Sequence, residues 1–351
     1  MLQSEKVMAG MSGGVDSSVC ASMLIDGGYS VAGATLDLWG KENTVSPEAE
    51  EAAKACGKLG IPHYVFEMRK EFAGAVIDNF INEYINGATP NPCIVCNRRI
   101  KFGKMLEQAK SMGYFKIATG HYAVVKKSAD GRYLLSKAAD RTKDQTYVLY
   151  SLTQEQLSSV IFPLGGLTKA QVREIAESKG FSNAHKPDSQ DICFVPDGDY
   201  AAFIEKYTGR ISAPGDFTDI SGCPIGKHNG LIRYTVGQRK GLGISLGKPA
   251  YVVTKDTASN RVVLGDENLL FYRRVLVKDV NFIPFDRLKS DMRVTAKLRY
   301  RHIEQPARIF PDENGVIVEF DEPQRAPSPG QSAVFYDGDT VIGGGIIVKG
   351  T

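Results

Sequence analysis

Several features are scarce or missing in this sequence, and each absence excludes a class of protein. Six cysteines in 351 residues are too few and too scattered for a disulfide scaffold, so a special cysteine is predicted to be catalytic or metal-binding. No apolar run approaches the ~20 residues that a membrane-spanning helix needs. The start of the chain, MLQSEKVMAGM, leaves no room for a signal peptide before the first predicted strand. We therefore expect a cytoplasmic protein with no membrane partner.

A large excess of one charge is also missing, but the charges are unevenly distributed. The formal net charge is +3, whereas residues 271–308 contain ten Lys or Arg against four Asp or Glu. Residues 309–351 contain two against seven. A second basic cluster consists of Arg98, Arg99, Lys101 and Lys104. Such clusters favour a polyanionic partner, and a solvated surface is an equally good interpretation of each cluster alone.

Strand and helix patterns alternate in the first half of the chain. Buried-strand patterns occur in KVMAG, YSVAGATLDL and HYVFEM. A helix is predicted from Ser17 to Asp26, and another follows the cap residue Ser46 and ends before Gly60. Apolar residues recur at helical spacing from Phe72 to Ile85. The alternation predicts an α/β fold with a parallel sheet, whose ligands lie at the carboxyl ends of the strands.

The amino-acid composition of the chain changes after about residue 197. Glycine and proline become frequent in SAPGDF, SGCPIGKHNG and VGQRKGLGISLGKP, which is typical of a small turn-rich module. From about residue 269, RRVLVKDV, RVTAKLRY, GVIVEF and TVIGGGIIV alternate as in an antiparallel barrel or sandwich. We predict three domains: a catalytic α/β domain at 1–197, a central domain at 198–268 and a C-terminal β-barrel at 269–351.

A glycine-rich loop follows the first predicted strand, in the segment AGMSGGVDSSV. Glycines before a helix N-terminus allow backbone N–H groups to close around a phosphate. The spacing matches neither GxxxxGK[ST] nor GxGxxG. A turn without a ligand would explain Gly13 and Gly14, but it would not explain Ser12, Asp16 and Ser17 beside them. The loop is therefore predicted to bind a phosphate.

Three segments carry a resemblance to a known family. SGGVDSS resembles the PP-loop of the ATP pyrophosphatases, and NPCIVCNRRIKF (91–102) and DSQDICFVP (188–196) resemble signature segments of the bacterial tRNA-specific 2-thiouridylases. GHY, KDQTYVLY, TVGQRKGLG and RYRH match the same family, and the resemblance runs from about Val7 to the last strand. It implies a PP-loop fold and adenylation of the C2 oxygen of the wobble uridine by ATP, followed by sulfur transfer.

The resemblance also implies partners and site residues. The substrates would be the lysine, glutamate and glutamine tRNAs, with Mg²⁺, a sulfur donor protein such as a cysteine desulfurase or relay protein, and a monomeric enzyme. The implied ATP-binding residues are Gly10, Met11, Ser12, Gly13, Gly14, Val15, Asp16, Ser17, Leu36 and Gly120. The implied target-base and tRNA-binding residues are Asn91, Pro92, Cys93, His121, Lys143, Asp144, Gln145, Arg299, Tyr300 and Gln331. A structural histidine and an ordinary charged loop remain alternatives for His121 and for 143–145.

The chemistry requires two separate cysteines. A persulfide on one delivers sulfur, and the thiolate of the other cleaves the S–S bond. We predict Cys96 as the nucleophile because it comes directly before a predicted helix start that carries Arg98 and Arg99, and nearby cations activate thiolates. By resemblance, Cys193 is the persulfide carrier, and a disulfide between the two would follow transfer. Asp16, the only carboxylate of the loop, is predicted to manage magnesium or pyrophosphate.

One departure from a well-known family pattern leaves a second mechanism open. Cys93 stands where that pattern has an aspartate, which creates a CxxC. Cys93, Cys96 and Cys193 are thus alternative ligands for a [4Fe-4S] cluster with one open iron that binds sulfide. The remaining cysteines, Cys20, Cys56 and Cys223, are predicted to be small buried hydrophobes. Another PP-loop synthetase would not need Cys96 and Cys193, and a noncatalytic RNA-binding protein would not need the loop.

Overall fold

A computed structural model describes residues 4–40, 46–186 and 192–351. The chain divides into two compact units. The first contains Met1–Val76, Cys93–Gln190 and Asp339–Val341, and the second contains Ile77–Pro92, Asp191–Gly338 and Ile342–Thr351. Residues 188–191 of the DSQDICFVP segment lie outside the described residues, whereas its remainder, from residue 192 onward, is described. The predicted boundaries of the three domains stay a prediction.

A five-stranded, wholly parallel sheet forms the centre of the first unit. Its strand order is β3-β2-β1-β4-β7. The order reverses between β1 and β4, because the chain adds β2 and β3 on one side of β1 and then returns to the other side. Ligands of open α/β sheets bind at such a switch point. The strands are β1 Lys6–Gly10, β2 Ser30–Asp37, β3 His63–Glu67, β4 Lys116–Ala118 and β7 Val160–Ile161, and β5 Val124–Lys127 and β6 Tyr133–Ser136 form an antiparallel hairpin.

Helices follow most of these strands. They are α1 Val15–Asp26, α2 Pro47–Leu59, α3 Arg69–Phe72, α4 Asp78–Ile85, α5 Pro92–Val95, α6 Met105–Ser111, α7 Thr146–Leu149, α8 Gln154–Ser158 and α9 Lys169–Ser178. Two π-helical segments, Ala73–Ile77 and Cys96–Lys104, continue α3 and α5, and a 3₁₀ turn spans Pro163–Gly166. The amphipathic helix predicted from residue 72 is confirmed, but its apolar spacing did not predict the π segment.

Local sequence explains the boundaries of α1 and α2. Ser46 caps α2 by accepting a hydrogen bond from the Ala49 N–H, and Gly60 ends it in the left-handed region at φ 69°. These boundaries were predicted correctly. Helix α1 begins two residues earlier than predicted, because Gly14 is its N-cap and Val15 already has helical geometry. Asp16 therefore lies in the first helical turn.

The second unit contains a small mixed sheet with the order β10-β11-β8-β9. The predicted turn-rich module thus has a strand framework, in which β11 and β8 are parallel and the other pairs are antiparallel. Its elements are α10 Tyr200–Thr208, β8 Gly215–Thr218, β9 Pro224–His228, β10 Tyr251–Asp256 and β11 Arg261–Gly265, with 3₁₀ turns at Leu231–Arg233 and Glu267–Leu270. Its apolar core is centred on Phe217, which is fully buried.

Six antiparallel strands at the end of the chain close into a barrel. They pair in the order β12-β15-β14-β13-β16-β17, and a further β12–β17 pairing closes the ring. They are β12 Phe271–Phe282, β13 Met292–Lys297, β14 Gln305–Asp312, β15 Gly315–Arg325, β16 Ser332–Asp337 and β17 Thr340–Gly350. Alternating residues such as Val275 and Val277 fill the interior. The predicted α/β class with a C-terminal β-barrel is confirmed, and the alternative of a sandwich is excluded.

Within the described ranges, every helix is too short or too polar to cross a membrane.

Candidate active site

The glycine-rich loop occupies the switch point of the sheet. It leaves the carboxyl end of β1 at Gly10 and enters the twelve-residue helix α1, whose first-turn N–H groups have no intrahelical acceptor. The Ser17 hydroxyl accepts from the Ser12 N–H (3.2 Å) and donates to the Gly14 carbonyl (2.9 Å). These bonds hold the loop curved in front of the helix. The arrangement suits a phosphate chain, because the helix N-terminus carries partial positive charge.

Two further bonds hold the loop from outside. The Thr35 hydroxyl donates to the Met11 carbonyl (2.8 Å), and the Asn183 amide donates to the Gly13 carbonyl (3.1 Å). Both side chains are buried. Thr35 directly precedes Leu36, which is half-buried near the carboxyl end of β2, so the loop and the predicted adenine-pocket residue are fixed to one another. Sequence reasoning missed Thr35 and Asn183.

The Asp16 carboxylate carries an ion pair that sequence reasoning also missed. Lys169 Nζ lies 2.8 Å from both carboxylate oxygens, and the Tyr122 hydroxyl donates to Asp16 Oδ1 at 2.9 Å. The Lys169 side chain is 11% exposed and that of Asp16 is 31% exposed. Lys169 is the first residue of α9, where a cation opposes the helix dipole. That unfavourable position was the one available signal that Lys169 has a specific partner.

Gly120, two residues beyond the end of β4, allows the chain to pass close to α1. A Cβ atom at this position would lie 2.7 Å from the Asp16 carbonyl carbon and 2.9 Å from the Asp16 Cβ. Any larger residue would therefore displace the first turn of α1. The predicted ATP-binding residues of the loop and Gly120 thus come together at one end of the sheet.

The NPCIVC segment forms a helix that starts earlier than predicted. Pro92 is the first residue of α5, and its missing N–H is tolerated there. The expectation that a helix starts just after Cys96 is wrong, because Cys96 lies one turn inside this continuous helical stretch and is the first residue of the π segment. Cys96 is 8% exposed, whereas Cys93 and the half-buried Asn91 lie nearer the helix start. Arg98 and Arg99 are exposed on the same stretch.

The six cysteines, all of which are described, carry no disulfide. The Cys93 residue is exposed at the surface, yet neighbouring protein atoms desolvate its sulfur and thereby raise the pKa of the thiol. The positive charge of Lys101 acts in the opposite direction and lowers this pKa. Cys20 and Cys56 are buried in the core, and burial raises the pKa of Cys56 to about 11. Cys223 is exposed, so its predicted burial is wrong: it lies in the turn that follows Asp219.

Cys193 belongs to the second unit and is exposed. The next residue, Phe194, is fully buried and packs edge-on against Phe80 (5.3 Å between ring centroids) and beside Phe203 (5.2 Å). This aromatic packing anchors the chain beside an exposed thiol. In the described part of the chain, no three His, Cys, Asp or Glu side chains are placed to hold a metal ion.

His121 and the 143–145 segment have internal hydrogen bonds. His121 is buried, its Nδ1 lies 2.7 Å from the Thr119 hydroxyl, and burial holds the pKa of its imidazole well below the usual range. Asp144 accepts from the Ala138 N–H, and Gln145 Oε1 accepts from the Tyr122 N–H at 2.9 Å. Gln145 therefore fixes the backbone of the tyrosine that contacts Asp16. Lys143 is half-buried.

The predicted barrel residues lie in the second unit. Arg299 donates to the Ala326 carbonyl (2.8 Å) and the Ser328 hydroxyl (2.9 Å), and Tyr300 is 38% exposed. Gln331 donates to the Thr89 carbonyl at 2.6 Å. Two arginines of the basic segment form ion pairs with residues of the acidic segment that follows it, as Arg274–Glu319 and Arg293–Asp321, and Arg308 pairs with Asp291 within the basic segment. The uneven charge along the sequence is thus partly neutralised in space.

Three family models match successive parts of the chain. They are described as the tRNA methyl transferase HUP domain (residues 5–197), the tRNA methyl transferase PRC-barrel domain (201–266) and the aminomethyltransferase beta-barrel domain (272–347).

Similar proteins match the chain over almost its entire length. The chain is 52% identical to the tRNA-specific 2-thiouridylase MnmA of Acetivibrio thermocellus, with 99% of this chain and 100% of that protein covered. It is 50% identical to the protein of the same name from Caldicellulosiruptor saccharolyticus (98% and 99% covered) and 48% identical to that of Clostridioides difficile (99% and 99%). The chain therefore belongs to the tRNA-specific 2-thiouridylase family.

Proposed function

We propose that this protein is a tRNA 2-thiouridylase that uses ATP to replace the C2 oxygen of the wobble uridine by sulfur. The observation that carries the proposal is the phosphate-binding loop at the switch point of the parallel sheet, with Asp16 in the first turn of α1. Family membership and the exposed Cys193 thiol support the sulfur-transfer step. The words methyl transferase in two family descriptions suggest another activity, but no observation on the described residues favours a methyl donor.

In the first step, the uridine C2 oxygen attacks the α-phosphorus of ATP, and pyrophosphate leaves. We assign the phosphate chain to the loop between Gly10 and Ser17, where helix N–H groups stabilise negative charge. Gly120 and the backbone of Leu36 would border the nucleotide. Mg²⁺ would neutralise phosphate charge when bound, and Asp16 is its proposed ligand. Lys169, already beside Asp16, supplies a further cation for the departing pyrophosphate.

In the second step, sulfur replaces the activated oxygen. The terminal sulfur of a Cys193 persulfide attacks C2 and displaces AMP, which leaves the base joined to Cys193 through an S–S bond. The Cys96 thiolate then attacks the Cys193 sulfur, and the 2-thiouridine departs with the electron pair of the broken bond. A disulfide between Cys96 and Cys193 results, and a dithiol reductant restores the thiols. A cysteine desulfurase or a sulfur-relay protein would reload Cys193.

The tRNA contacts remain proposals derived from the family. We assign the target base to Asn91, Pro92 and Cys93, and assign His121 and Gln331 to its surroundings. The lysine, glutamate and glutamine tRNAs are the proposed substrates of a monomeric cytoplasmic enzyme. Segment 143–145 and the pair Arg299 and Tyr300 would bind the tRNA, and Tyr300 is exposed enough to stack on an unpaired base.

A [4Fe-4S] cluster held by Cys93, Cys96 and Cys193 is the alternative sulfur route. The absence of a metal-binding group among the described residues gives this cluster no structural support, so no step is assigned to it. Iron and acid-labile sulfide assays on protein purified without oxygen distinguish the routes. Iron and sulfide that fall in Cys93→Ala would establish the cluster. Iron-free protein that thiolates tRNA would establish the persulfide route.

Pyrophosphate release and 2-thiouridine formation on an unmodified tRNA transcript, with a cysteine desulfurase and free cysteine as the sulfur source, test the proposed function. We expect release to require both tRNA and Asp16, so Asp16→Asn should abolish it. Cys193→Ser should retain pyrophosphate release but form no 2-thiouridine. Cys223→Ser is the matched control, because Cys223 is another exposed thiol of the second unit and should be dispensable. Release without tRNA, or full activity of Asp16→Asn, would contradict the proposal.

A further inference from the structure

The helical segment that starts at Cys96 has unusual geometry. Residues Cys96–Lys104 form a nine-residue π-helix, and the Met105 N–H bonds to the Ile100 carbonyl five residues earlier. π geometry is rare and occurs mostly as single turns, frequently at functional sites. Ile100 and Phe102 are buried on this segment, as is Cys96. Because a change to α geometry would rotate Cys96 relative to these buried side chains, the π-helix determines the direction of its thiol.

Gln156 binds this segment from a neighbouring helix. Its amide nitrogen donates to the Arg98 carbonyl at 2.7 Å and to the Phe102 carbonyl at 3.0 Å. Its amide oxygen accepts from the Thr153 N–H at 3.0 Å, within the capping box of α8. Both ends of the Gln156 amide are therefore occupied, one by the cap of α8 and the other by the π-helix.

The Arg98 carbonyl lies at a position where α and π geometry differ. In an α-helix the Arg98 carbonyl would accept from the N–H of residue 102, whereas in a π-helix it accepts from that of residue 103. Residue 103 is glycine, and a Cβ there would lie 3.1 Å from the Arg98 oxygen. Gly103 thus leaves room for the π turn, and the two bonds from Gln156 hold the Arg98 and Phe102 carbonyls in the positions that this turn gives them.

We propose that Gln156 is a positioning residue for the Cys96 thiol, because it holds the π-helix in which Cys96 is the first residue. This inference rests on the proposed function, in which Cys96 cleaves the S–S bond. Gln156 touches neither the nucleotide loop nor Cys96 itself, so its effect should be confined to the sulfur step and should spare adenylation.

A matched pair of substitutions separates this role from simple helix capping. Gln171 is also the third residue of a threonine capping box, and its amide oxygen accepts from the Thr168 N–H at 2.8 Å. Among the described residues, the Gln171 amide nitrogen has no acceptor. Glutamate preserves the acceptor of a capping box. Gln156→Glu therefore keeps the acceptor of the capping box and removes the donor to the π-helix. Gln171→Glu keeps the role of Gln171, which is to accept the hydrogen bond from the Thr168 N–H.

Three rates decide the outcome. The first is single-turnover 2-thiouridine formation at saturating ATP and tRNA, by enzyme whose Cys193 has been loaded with persulfide sulfur by a cysteine desulfurase and free cysteine. The others are tRNA-dependent pyrophosphate release and alkylation of Cys96 by iodoacetamide, resolved from Cys93 by fragment mass spectrometry. For Gln156→Glu we expect thiolation to fall about tenfold, from the loss of two hydrogen bonds. Cys96 alkylation should change at least about threefold, and pyrophosphate release should stay within about twofold. Gln171→Glu should match the wild type in all three.

Equal thiolation and alkylation rates in the two glutamate variants would overturn the proposal, as would an equal loss of pyrophosphate release and thiolation in Gln156→Glu. Gly103→Ala tests the same segment from the other side, and a thiolation rate like that of the wild type would also count against it. A wild-type protein that forms no 2-thiouridine would refute the proposed function instead, while the alkylation rates would still decide the role of Gln156.

Discussion

The ion pair between Lys169 and Asp16 should couple helices α9 and α1 beneath the phosphate loop. Two unit charges at their separation of 2.8 Å attract by about 4 to 6 kcal/mol at an effective dielectric constant of about 20. Desolvation and side-chain entropy offset part of this. The two side chains are 11% and 31% exposed, so their coupling free energy should lie between two limits. Exposed ion pairs contribute about 0.2 to 1 kcal/mol, and breaking a buried pair costs about 3 to 5 kcal/mol. We expect a coupling free energy of about 2 kcal/mol.

A double-mutant cycle with Lys169→Met and Asp16→Asn measures this coupling. The protein has one tryptophan, Trp39, which lies in the first unit, so its fluorescence during urea unfolding reports on the unit that contains the pair. The double variant should lose about 2 kcal/mol less than the sum of the single variants. Methionine retains most of the apolar stem of Lys169, which isolates the charge.

The same two helices provide a control. Lys179 and Asp26 also join α9 to α1 at 2.8 Å, but their side chains are 39% and 57% exposed. Their coupling should stay below about 1 kcal/mol, since solvent screens exposed pairs. If the two cycles give the same coupling free energy, the reasoning from burial is refuted.

Three further predictions concern nucleotide binding, pH and tRNA. Gly120→Ala should weaken binding of a nonhydrolysable ATP analogue, measured by calorimetry, at least about tenfold, because the new Cβ would lie 2.7 Å from the Asp16 backbone. Unchanged affinity would exclude this clash. The pKa of buried His121 is depressed, so only the unfolded state gains its proton as pH falls below about 6.5. The free energy of unfolding should then fall by up to about 1.4 kcal/mol per pH unit in the wild type and by less in His121→Asn. Equal pH slopes of the unfolding free energy in the two proteins would argue against a neutral buried imidazole. Arg299→Ala should weaken tRNA binding and reduce the slope of the logarithm of the binding constant against the logarithm of salt concentration by about one. Arg274→Ala, which removes the partner of Glu319, is the control, and an equal effect of this substitution would indicate nonspecific charge.

Local sequence was sufficient for the features that depend on neighbouring residues. The cap at Ser46, the end of α2 at Gly60 and the loop before α1 were predictable because their hydrogen bonds join residues only a few positions apart. The barrel strands were also predictable, since alternation of buried and exposed residues is a property of each strand alone. The π-helix at Cys96 was not predicted, because Gln156, which bonds to it, lies 58 residues from Arg98.

The sequence by itself determined the parallel-sheet domain, the phosphate loop and the residues that mark the family, since each is written in a short contiguous pattern. Only the tertiary structure decided that Asp16 meets Tyr122 and Lys169, which are 106 and 153 residues away, and that exposed arginines of the barrel meet their acidic partners. The physical reason is that the strand order of a sheet brings distant segments together, and no local periodicity records which side chains then lie within hydrogen-bonding distance.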